Sequence, residues 1–180
     1  MKNRYIVPIL IGAGIVLTLC SCGGGIPKKA TAVTNFDSAK YLGKWYEIAR
    51  LDHKWEKGLD NVTAEYSLNE DKTIKVDNKG YDFKKGKWEQ SVGKAKFVEK
   101  ENIGMLKVSF FGPFYSGYNV VSIDPDYKYA LVAGESLKYI WILSREKIIP
   151  ESVKTDFLMK AREIGYNTSV LVWVKHDKAN

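Results

Sequence analysis

Thiol and imidazole chemistry in this chain rests on four residues: Cys20, Cys22, His53 and His176. A thiolate nucleophile or metal ligand needs its cysteine inside a folded domain, with a base or further ligands nearby. Both cysteines instead close an N-terminal apolar run, which leaves the folded part without a disulfide, thiol nucleophile or thiolate ligand. Two histidines without a cysteine do not build a multi-histidine zinc site. There is no G-x-S-x-G elbow, and no Ser/His/Asp grouping that the order of residues supports. These residues predict a binding protein and not an enzyme, with no metal and no cofactor. One alternative stays open, a haem or pigment carrier with His53 as an axial ligand from a loop.

The chemistry available to Cys22 is acylation. Met1 to Arg4 is basic, and Ile6 to Leu19 is apolar but interrupted by Pro8, Gly12 and Gly14. That run is shorter than the ~20 residues of a membrane-spanning helix, so a cleaved signal is expected. Leu19-Cys20-Ser21-Cys22 resembles a bacterial lipobox, with small Ser21 just before the acceptor. The frame ending at Cys20 places bulky Leu19 there and fits less well. Residues 1–21 therefore read as a lipoprotein signal and Cys22 as the lipid-attachment site, two or three acyl chains giving stable anchoring. Gly23 in place of Asp is similar to an outer-membrane sorting pattern, which implies an anchored, periplasm-facing protein. An ordinary secreted chain cut near Ser21 is the alternative. Residues 22–34, with Gly23-Gly24-Gly25, read as a flexible tether. Residues 35–180 read as the domain.

Charge excludes little beyond nucleic acid. The 180 residues carry a formal +7, with Lys and Arg interleaved among Asp and Glu and no basic run or aromatic-basic motif. A solvated surface with mild attraction to anionic lipid is the reading. At 45% apolar and 13% aromatic, the chain can form a sizeable core or an aromatic-lined cavity. Asn61-Val62-Thr63 and Asn167-Thr168-Ser169 match a glycosylation sequon, and beside a lipobox both read as chance.

The positioning elements are mostly strands. A short helical turn over residues 35–42, capped by Asn35 or Asp37, leads into a strand from Trp45 to Leu51. Its alternation places Trp45, Glu47 and Ala49 on one face and Tyr46 and Ile48 on the other. Further strands follow near 62–68, 74–79, 86–98, 106–110, 118–123, 129–133 and 139–145, with Gly93 a candidate bulge. Eight segments with hairpin-length links predict an antiparallel up-and-down barrel able to hold one small ligand. Val153, Phe157, Ala161 and Ile164 form one stripe of a helix that Gly165 ends, to be packed outside the barrel. Val170 to Val174 reads as a final strand beside the first.

Three segments carry a family resemblance: Gly43-Lys44-Trp45, the turn Asp126-Tyr127-Lys128-Tyr129, and Arg145 after Trp141-Ile142-Leu143-Ser144. Their order and spacing resemble those of the lipocalins, most of all the bacterial outer-membrane lipoprotein lipocalins and the apolipoprotein D-like group. The resemblance covers residues 22 to about 175. It implies that Gly43, Trp45, Asp126, Tyr127 and Arg145 close one end of the barrel, with Arg145 across the Trp45 ring. It also implies a lysophospholipid or fatty-acid ligand and a role in membrane maintenance under stress. A structural envelope lipoprotein is the alternative, and a homodimer is left open.

Inward parity nominates Ala49, Tyr66, Val76, Phe97, Val108, Tyr118, Leu131 and Trp141 as cavity lining, with Glu47 and Asn78 as its polar members. An ionised inward Glu47 would repel a deep carboxylate and favour a lipid bound tail-in, head-out. The head group would then meet Arg50, His53, Lys54 and Lys57. Phe110, Phe111, Phe114 and Tyr115 are expected at the open rim, either folded over it or facing membrane, acyl chain or a second protomer.

Overall fold

A computed structural model describes residues 25–178. The signal, Cys20 and Cys22 lie outside the described residues. Asp37 caps α1 (Ser38–Tyr41), its carboxylate accepting from the Ala39 and Lys40 amides. Eight strands follow: β1 (Gly43–Leu51), β2 (Leu59–Leu68), β3 (Ile74–Asp82), β4 (Lys87–Phe97), β5 (Met105–Phe111), β6 (Phe114–Ile123), β7 (Tyr129–Gly134) and β8 (Ile140–Ser144). Each pairs antiparallel with the next, and β1 pairs with both β8 and β2, so the sheet closes into a barrel. The β1–β2 pairing covers only Gly43 to Tyr46. Beyond it, β9 (Leu171–Trp173) takes that edge of β1. The Val174 amide donates to Ile48 O, and Asn61 donates to Lys175 O, so the C-terminal segment fills the seam.

Helix α2 (Glu151–Ile164) ends at Gly165 in a left-handed conformation and lies outside the barrel. Its stripe of Phe157, Ala161 and Ile164 packs on Ile48, Ala49, Leu131, Ala133, Ile140 and Ile142. Burying Phe157 alone is worth about 2 kcal/mol. A second cluster, around Trp45, Tyr66, Ile74, Leu106, Val120 and Leu143, fills the lower interior.

Two expectations change here. Gly93 is no bulge: β3 and β4 pair in unbroken register through Val76 and Gly93. It is a point of close approach, where a Cβ would come within 2.8 Å of Phe110 and of Ser109 O. Residues 25–34 are no flexible tether. Asn119 Nδ2 donates to Gly25 O, Ala30 joins the α2-side core, and Val33 bonds Val120 O and the Gly104 amide.

Candidate ligand-binding site

One end of the barrel is sealed. Trp45 is fully buried, and its Nε1 donates to Tyr41 O at 2.8 Å. The Arg145 guanidinium lies 3.9 Å from the centre of the Trp45 ring. It also donates to Lys40 O, Leu42 O, Lys44 O and Tyr127 O at 2.7–3.2 Å. The fork thus ties α1, the start of β1 and the β6–β7 turn together, with a cation–π contact worth about 0.5–2 kcal/mol added. Gly43 has φ +92° and a Cβ there would meet Arg145 Nη1 at 3.4 Å, so glycine suits both the backbone and the contact.

Above the seal lies a cavity of about 820 Å³. Its lower wall is apolar, from Ile74, Val76, Ala95, Leu106, Val108 and Leu143, with Tyr41, Tyr66 and Tyr118. Glu47, Asn78 and Trp141 border it too, and the rim carries His53, Trp55, Glu56, Lys57, Phe111 and Phe114. Glu47 is buried and takes a bond from Arg50 Nη1 at 2.7 Å. Burial first, then the Glu56 carboxylate, push Glu47 up to about 8, while Arg50 pulls the other way. Arg50 also donates to Glu56 O and Leu59 O, pinning the β1–β2 loop. Trp141 Nε1 donates to Glu56 Oε2 at 3.1 Å, and His53 approaches that oxygen at 3.0 Å. His53 stands edge-on to Tyr139 and Trp141.

Residues 36–176 match the family model for the lipocalin-like domain. The chain is 46% identical over 171 residues to the outer membrane lipoprotein Blc of Escherichia coli, covering 94% of this chain and 97% of that one. The chain is a lipocalin. It is also 36% identical over 129 residues to apolipoprotein D of Rattus norvegicus, covering 67% of each chain. Among solved structures, insecticyanin from Manduca sexta superposes with a TM-score of 0.67 at 21% identity, covering 84% of this chain and 87% of that one, which speaks to the fold.

In this lipocalin Gly43, Trp45, Tyr127 and Arg145 meet at the closed end. Asp126 does not join them: it is exposed, with Lys128 3.5 Å away. Asp124 organises the turn instead, accepting from the Asp126, Lys128 and Tyr129 amides. Glu47, Tyr66, Val76, Asn78, Val108, Tyr118 and Trp141 border the cavity. Ala49 and Leu131 face α2. The β1 register shifts between Glu47 and Ala49, so Ala49 turns outward and Arg50 inward. Leu131 pairs with Ile142, whereas inward Trp141 pairs with Val132, so Leu131 must face out. Phe97 lies below the cavity, edge-on to Phe36. Arg50 is 1% exposed and is no part of the rim. Sequence reasoning missed Glu56 and Tyr41, since a loop carboxylate and a helical-turn tyrosine carry no inward signature.

Proposed function

We propose that this lipocalin binds single-chain lipids, lysophospholipids and fatty acids, with the acyl tail in the cavity and the head group at the rim. Its role is to hold or carry them for membrane maintenance. The observation that carries this reading is the polarity gradient of the cavity: a sealed apolar lower half under a rim of Lys54, Glu56 and Lys57 with aromatic Trp55, Phe111 and Phe114. The volume falls within the ~300–1,000 Å³ of small-molecule sites. Moving twelve methylenes out of water gains roughly 10 kcal/mol, and association takes back at least ~4, which supports micromolar or tighter binding. The E. coli relative is named an outer membrane lipoprotein, and the outer membrane is the location of this lipocalin. Anchoring through Cys22, a periplasm-facing orientation and a role under stress belong to the proposal.

With Glu47 protonated below about pH 8, a deep fatty-acid carboxylate meets little repulsion there near neutrality. Exclusion of the carboxylate strengthens as pH rises through 8. The head group meets Lys54 and Lys57, without Arg50. A chain starting at Gly23 keeps every described element. Titrating it with lysophosphatidylcholine and with palmitate, by calorimetry and by the fluorescence of cavity-bordering Trp141, tests the reading. Saturable 1:1 binding is expected. A folded, lipid-free chain that binds neither ligand overturns it.

A further inference from the structure

Three tyrosines from three elements meet deep in the cavity. Tyr41 ends α1, Tyr66 lies on β2 and Tyr118 on β6, and all three border the cavity. Tyr118 Oη lies 2.6 Å from Tyr41 Oη and 2.8 Å from Tyr66 Oη. The surroundings are apolar, and the Trp45 ring stacks obliquely against Tyr41 at 4.9 Å. Burial holds all three phenols well above their usual range, so each keeps its proton at physiological pH.

Three hydroxyls carry three protons, and two mutual hydrogen bonds use two of them. Among the described residues no further acceptor takes the third. If Tyr118 accepts twice, its own proton is spare. If it donates to one neighbour, that neighbour's proton is spare. In every arrangement a donor without an acceptor sits on a ring that borders the cavity. A buried donor of this kind is strongly disfavoured unless water or a guest answers it.

We propose that the cavity floor is a hydrogen-bond-donating subsite for a neutral oxygen, a hydroxyl or carbonyl, at the inserted end of an acyl chain. The inference rests on the tail-in reading above. The lysines that border the cavity, Lys54, Lys57, Lys79 and Lys85, belong to its upper half. A carboxylate at the floor would therefore lack a lining counter-ion, whereas a neutral oxygen needs none. A methyl end that reaches the floor displaces water and strands the spare donor. A terminal hydroxyl accepts from it and returns its own proton to a phenol oxygen with an unused lone pair.

The test compares palmitate with 16-hydroxypalmitate, which share chain length and carboxylate, on the chain starting at Gly23. The hydroxylated acid should bind about ten-fold tighter. Tyr118→Phe should keep the preference, because it strands two donors and removes neither. The triple variant Tyr41→Phe/Tyr66→Phe/Tyr118→Phe should abolish it while palmitate still binds. Equal affinities on the native chain overturn the subsite and leave the acyl-chain reading standing, as does a preference that survives in the triple variant. Loss of the preference in Tyr118→Phe alone also counts against the proton count. Absence of saturable binding by either acid overturns both.

Discussion

The two ends of this barrel treat polar groups in opposite ways. At the closed end the Arg145 guanidinium is aimed at backbone carbonyls and the Trp45 indole N–H is satisfied. Toward the open end, Arg50 Nε, His53 Nδ1 and Asn78 Oδ1 are buried without a hydrogen-bond partner among the described residues. The apolar groups divide likewise. Trp45 is inaccessible, whereas Trp55, Phe111 and Phe114 are 61%, 67% and 79% exposed. Below the tyrosine floor of the cavity, one end is finished by the chain itself. The other keeps unused hydrogen-bonding capacity and uncovered aromatic surface, which a guest or a surface can complete. Stability and binding should therefore separate along the barrel axis.

The largest expected effect is at the seal. Arg145→Ala removes the cation over Trp45 and leaves four or more carbonyls to find water, so unfolding in urea should show a loss of about 3–5 kcal/mol. Arg145→Lys keeps the charge but not the fork and should recover only part of it. A loss below about 1 kcal/mol in Arg145→Ala would remove the seal from the comparison.

Glu47, midway along the axis, gives the next effect. Its folded pKa of about 8 lies above the ordinary 4.5. Between those values the folded chain holds a proton that the unfolded chain has released, so stability falls as pH rises through the window and levels off above about 8. The native chain should lose on the order of 3 kcal/mol between pH 5 and 8, and Glu47→Gln should flatten that slope. A stability profile with the same slope in both proteins would assign the pH dependence elsewhere.

The closed end was legible because fixed residue types recur at fixed spacing: Gly43 and Trp45, Tyr127 in its turn, and Arg145 after β8. The eight strands and α2 were legible from periods of two and of 3.6. The mouth was harder for a physical reason. The register shift after Glu47 exchanges the faces of Ala49 and Arg50, and no alternation pattern announces it. On β7 both faces are apolar, one toward α2 and one toward the lower core, so parity alone could not orient Leu131. Tyr66 and Tyr118 were placed inward, but their meeting with Tyr41 depends on closure of the ring, which brings distant elements together.

The smallest stability effect should accompany a distinct binding effect at the rim. Phe111 and Phe114 flank the β5–β6 turn, and the Phe111 ring lies 6.1 Å from that of Trp55. Because both phenylalanines are mostly in water already, Phe111→Ser/Phe114→Ser should change stability by less than about 0.5 kcal/mol. The same variant removes apolar surface that a lipid can cover as its chain leaves the mouth, so lysophosphatidylcholine affinity should fall by a factor of about three to ten. Arg145→Ala, measured under conditions where it is folded, should leave that affinity nearly unchanged, since its contacts lie below the cavity. Loss of stability at the rim, or loss of affinity at the seal, of the size expected for the other end would break the separation. The pair of variants measured together therefore tests whether this barrel keeps folding and binding at opposite ends.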